Sequence, residues 1–126
     1  MIEYFNAPDV KRNIDVIIEL LHFDHIRLES IYCVRSRRSR ARKVIARIHG
    51  LSRIWQEVMG LKPTYIIEVI AERFDYMTDD EREKALIHEL LHIPLGFKGG
   101  FKPHKGHVNK EIVETWYWRL QQQKKR

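Results

Sequence analysis

The chain has 126 residues, 44% of them hydrophobic and 32% charged, with 23 Lys and Arg against 17 Asp and Glu for a net charge of +6. That length suits a single domain spanning 1–126 around one core, and no run approaches the roughly 18 apolar residues of a membrane span. The lone Cys33 excludes an internal disulfide, and Met1-Ile2-Glu3-Tyr4-Phe5 resembles no secretion leader, so a cytoplasmic location is expected.

Asn6-Ala7-Pro8 predicts a helix start, with Pro8 in its first turn, where its missing N–H costs nothing. Val10, Ile14, Ile17, Ile18 and Leu21 then recur at helical spacing, and His22 and His25 flank the end as boundary residues. Residues 26–34 alternate, with Ile26, Leu28, Ser30, Tyr32 and Val34 on one face of an expected strand that also carries Cys33. Arg35, Arg37, Arg38, Arg40, Arg42 and Lys43 follow within nine positions, as a turn or long hairpin loop before a second strand over 43–48. Such a cluster suits phosphate backbone or acidic protein, although it contains none of the aromatic side chains on which unpaired bases stack.

Residues 51–59 predict a short helix with Ile54, Trp55 and Val58 turned inward, closed by Gly60 and Pro63. The near-continuous apolar run within 63–73 (Tyr65, Ile66, Ile67, Val69, Ile70) predicts a well-buried strand. Thr78-Asp79-Asp80-Glu81 then reads as a capping box, and Asp79 and Asp80 suit the positive end of a helix dipole.

That helix carries Leu86-Ile87-His88-Glu89-Leu90-Leu91-His92-Ile93-Pro94. Residues i and i+4 share a helix face, so His88 and His92 point two imidazoles at one metal ion, with Glu89 one step round the same turn. This is the H-E-x-x-H arrangement of zinc peptidases, in which the histidines hold Zn2+ and the carboxylate is the general base for an attacking water. Pro94 stops the helix just after the second histidine.

Catalytic zinc takes three protein ligands and an open position. The glycine-rich stretch 95–103 leads to His104 and His107, and Glu111 stands at the start of a last helical pattern, 108–121, with Ile112, Val113, Trp116 and Leu120 as its apolar face. Imidazole and carboxylate are both acceptable donors. His104 is the expected third ligand, with His107 and then Glu111 as alternatives. Glu68, Glu72, Asp75 and Glu114 are the carboxylates available to orient the ligands from behind.

Residues 87–94, the Gly-Gly loop and Lys102-Pro103-His104 resemble a family of small predicted metallopeptidases of archaea and phages. The resemblance extends upstream through 36–48, 51–56 and 65–69 and covers about residues 26–115. A more distant similarity is to SprT/Spartan-type zinc proteases, whose pattern puts the third ligand near 104–107. What these resemblances imply is a zinc-dependent hydrolase with a peptide or protein substrate.

The element order gives the expected fold class as α+β, a minimal zincin-like domain with a small, mainly antiparallel sheet packed on the H-E-x-x-H helix. An exposed edge strand beside that helix would hold a peptide by strand addition. The alternative is a nucleic-acid-binding module that uses 35–43 and keeps a structural or vestigial metal site.

Overall fold

The computed structural model describes residues 1–102 and 107–126. In chain order the elements are β1 (Glu3–Asn6), α1 (Pro8–Leu20), a 3-10 turn (Leu28–Ser30), β2 (Ile31–Arg37), β3 (Ala46–Gly50), α2 (Arg53–Met59), β4 (Tyr65–Ile70), α3 (Ala71–Phe74), α4 (Asp79–Leu91) and α5 (Lys110–Lys124). The class is α+β, as expected. The sheet is mixed: its order is β1-β2-β4-β3, with β1/β2 and β3/β4 antiparallel and β2/β4 parallel.

The basic segment does not close a hairpin, because β4 lies between β2 and β3. The reason is compositional. β4 is apolar at every position but Glu68, whose charge is paired, and a strand of that kind gains most by taking an interior place in the sheet. β1 was not predicted; all four of its residues are exposed, so an edge strand of this sort carries no burial pattern to read. The 3-10 turn resets the alternation expected from 26, so β2 begins only at Ile31 and continues through Arg37.

Ile31 and Cys33 of β2 and Tyr65, Ile67 and Val69 of β4 form the core face of the sheet. Against it pack Val10, Ile14 and Ile17 of α1 and Leu86, Ile87 and Leu90 of α4. Burial also pushes the Cys33 thiol up to about 12, which makes it an inert core group. On the opposite face the register aligns Tyr32, Ile66 and His49, all exposed.

α2 departs from expectation. Ile54, Trp55 and Val58 are 70%, 57% and 78% exposed rather than turned inward. The side chain that faces the rest of the molecule is Gln56, whose Nε2 donates to the carbonyls of Leu51 (2.8 Å) and Lys98 (3.0 Å). Gly60 ends α2 in the left-handed conformation (φ 64°), where a side chain would be strained.

α4 has both bonds of its predicted capping box, Thr78 accepting from Glu81 N and Glu81 accepting from Thr78 N. α5 is capped by Asn109, which accepts from Ile112 N, and buries Val113 and Leu120. Trp116 meets Phe23 edge-on at 4.9 Å, whereas Trp118 is exposed. No helix among the described residues is long and apolar enough to cross a membrane.

Arg35 ties three elements together. Its Nη1 and Nη2 donate to both carboxylate oxygens of Asp9 in α1 (2.6 and 2.7 Å), and its Nε donates to Asp75 beyond α3 (3.0 Å). The Arg35 hydrogen bond holds the Asp9 carboxyl at about 2, below its ordinary 3.8. A depressed carboxyl stabilises the fold above its unfolded pKa, and that contribution is lost as pH falls through the folded value. Arg35→Ala is therefore expected to cost on the order of 1 kcal/mol at pH 7, discounted because Asp9 is half exposed. It should also move the acid-unfolding midpoint, followed by circular dichroism, to higher pH. An unchanged midpoint would assign the bridge no net role.

Candidate metal centre

α4 buries Leu86, Ile87 and Leu90 against the sheet and α1, which turns His88, Glu89 and His92 toward the space between α4 and β3. His92 is the C-cap residue, and its backbone is still right-handed helical (φ −72°, ψ −16°), so the i, i+4 relation to His88 survives the helix end. The two Nε2 atoms lie 3.3 Å apart. Two imidazoles on one tetrahedral zinc, at Zn–N of about 2.0–2.1 Å, have nitrogens about 3.3–3.4 Å apart. The residues present therefore fit the ion that their motif implies.

His92 Nδ1 is 2.8 Å from the carbonyl oxygen of Lys102. A carbonyl only accepts, so Nδ1 carries the proton and, in the neutral ring, Nε2 presents a lone pair, which is the tautomer a metal ligand needs. Glu89 is 8% exposed, with Oε2 3.9 Å from His88 Nε2. Burial pushes its carboxyl up to about 8. A carboxyl poised near neutral pH is suited to take a proton and to give it back.

Two depressions meet at Glu89. One, of about 590 Å³, has Val44, Ala46, Ala85 and Val113 in its walls beside His88 and Glu89. The other, of about 350 Å³, is lined by Arg47, Ile48, Glu89, His92, Phe101 and Lys102. Together they run along residues 43–48, from the loop into β3, an edge strand that among the described residues pairs with β4.

The candidate third ligands separate. His107 lies in a different pocket, of about 310 Å³, with Phe23, His25, Ile93 and Trp116, and this pocket includes neither His88 nor Glu89. Glu111 is an exposed residue of the first turn of α5. His104 lies outside the described residues. Among the described residues no third His, Cys, Asp or Glu joins His88 and His92 in a group able to hold a metal ion.

The four carboxylates considered as supports have partners elsewhere. Glu68, buried in β4, accepts from Arg47 Nε (2.8 Å) and lies 2.8 Å from His49 Nε2. Burial alone would raise its pKa, but Arg47, with Ser36 and His49, brings it down to about 2. Glu72 accepts from the backbone of Arg38, Asp75 pairs with Arg35, and Glu114 pairs with Lys84. The support for His92 is instead a backbone carbonyl, that of Lys102. A backbone group has no signature in a sequence.

Within the basic segment, Arg35 is held by Asp9 and Asp75, and Arg37 lies over the Phe5 ring at 5.0 Å. Arg38 Nε is 3.5 Å from Glu3, and Arg40, Arg42 and Lys43 are exposed on the loop.

Residues 2–124 match a family model described as "Putative phage metallopeptidase". No curated protein and no solved structure matches the chain.

Proposed function

The chain belongs to this phage metallopeptidase family, and from that premise we propose that it is a zinc-dependent peptidase of the H-E-x-x-H type on a zincin-like fold. The observation that carries the reading is the 3.3 Å separation of His88 Nε2 and His92 Nε2, which is the spacing of two ligands on one tetrahedral ion. His104 is the proposed third ligand. In its support, His107 lines a different pocket, and the chain is brought back to His92 at Lys102, two residues before His104.

Zinc, when bound at this site, supplies an acidified water and a Lewis acid for the scissile carbonyl. Glu89 takes the proton of the attacking water as its oxygen bonds to the carbonyl carbon. It then delivers that proton to the amine nitrogen as the C–N bond breaks. The buried position of Glu89 keeps bulk water from competing for that proton.

The substrate is an extended peptide or protein segment that adds as a strand to the open edge of β3. Backbone hydrogen bonds along this edge draw the segment past Glu89. The 590 Å³ depression, walled by Val44, Ala46, Ala85 and Val113, receives one of its apolar side chains.

Elemental analysis of the chain purified without chelator tests the proposal. Near one equivalent of zinc per chain is expected. No zinc, even after the ion is offered, would overturn it.

A further inference from the structure

The stretch from Pro94 to Lys102 leaves the end of α4 and returns to it. Lys102 N donates to His92 O (2.8 Å), and His92 Nδ1 donates to Lys102 O (2.8 Å), so one residue of the loop grips His92 by both backbone and ring. Without a fixed loop, the Lys102 carbonyl would have no defined position and the His92 ring no defined angle.

What fixes the loop is Tyr65. It is fully buried at the start of β4, a central strand paired on both sides. Its hydroxyl accepts from Gly99 N (2.8 Å) and donates to Gly100 O (2.9 Å). Its ring packs against Phe97 and Phe101, with centroids 5.2 and 5.9 Å away. Gln56 adds a second anchor through its bond to Lys98 O. Gly99 makes the close approach sterically feasible: its φ is +97°, and a Cβ there would lie 2.3 Å from Leu51 O.

We propose that Tyr65 is a positioning residue for the metal centre: by pinning Gly99 and Gly100 to the sheet, it holds the Lys102 carbonyl against His92 Nδ1 and so aims Nε2 at the ion. The proposal rests on the zinc reading above and adds a residue that touches neither metal nor substrate. The orientation travels along a short physical chain, from β4 through the Tyr65 hydroxyl and the loop backbone to the imidazole. Partners of this kind are worth about 10–100-fold in metal affinity.

Zinc affinity, measured by competition with a chromophoric chelator, is compared for the wild type, Tyr65→Phe and Ile67→Val. Ile67 is equally buried on the same face of the same strand, so its truncation controls for lost stability. Tyr65→Phe is expected to bind zinc about 10–100-fold more weakly and to shift the visible absorption band of the cobalt-loaded protein. Ile67→Val should bind within about twofold of wild type with an unshifted band. Equal affinity in Tyr65→Phe and wild type, or an equal loss in Ile67→Val, would overturn the proposal and leave the zinc reading standing. A wild type that binds no zinc would overturn both. Should Tyr65→Phe fail to fold, Gln56→Ala decides: a loss of several-fold supports the loop clamp, and unchanged affinity overturns it.

Discussion

Glu89→Gln is expected to keep its zinc and to lose peptide hydrolysis by about 10²–10⁴-fold, the range that a positioned general base supplies. Gln has the shape of Glu and can occupy the same buried pocket, so the fold and the His88–His92 pair should be undisturbed. What it lacks is a site for the proton. Burial raises the proton affinity of the Glu89 carboxyl, and its carboxylate oxygens can accept the water's proton. The amide cannot take one at any pH in the working range. Turnover and zinc content must be measured on the same preparation, because a variant that had lost its zinc would also be inactive, for a different reason. Wild-type turnover in zinc-loaded Glu89→Gln would remove Glu89 from the mechanism.

His104→Ala should weaken zinc binding by more than the about 10–100-fold that loss of a supporting partner costs, because a ligand itself is removed. His107→Ala should leave the affinity within about twofold of wild type. His107 lies with Phe23, His25 and Trp116 in a pocket that does not include His88, so its loss would be felt in packing there instead. Titrating each variant with a competing chelator reads both results. The reverse pattern, with His107→Ala losing the ion and His104→Ala retaining it, would exchange the two roles. If neither matters, Glu111 becomes the remaining named candidate.

The local geometry of the candidate site was legible in the sequence. The i, i+4 histidines, the adjacent Glu89, the Thr78–Glu81 capping box and the Pro94 stop are all local relations, fixed by the pitch of one helix, and local relations are what a sequence writes directly. The same holds for α1, whose apolar spacing from Val10 to Ile18 places these residues in the core. The first two strands were less legible. β1 is wholly exposed and has no pattern, and β2 starts after a 3-10 turn that alternation alone does not announce.

α2 shows why helical spacing can mislead. Ile54, Trp55 and Val58 have the periodicity of a buried face, yet they are exposed, and Gln56 makes the inward contacts. Periodicity establishes that residues share a face. It does not say whether anything covers that face.

Spacing within one helix was enough to bring His88, Glu89 and His92 onto one turn of α4, because those relations depend on helical pitch alone. Which strand lies next to that helix, and that β1 and β3 take the two edges of the sheet, were set by the fold, since strand order follows from competition among strands for the interior of the sheet. The tertiary structure alone showed His107 in a pocket apart from His88 and Glu89. The fold likewise brings His92 Nδ1 to a backbone carbonyl on a loop whose Gly99 and Gly100 bond to Tyr65, 27 residues before the histidine in the chain. Such contacts join groups distant in the chain, and backbone groups are the same at every position, so nothing in the order of side chains announces them.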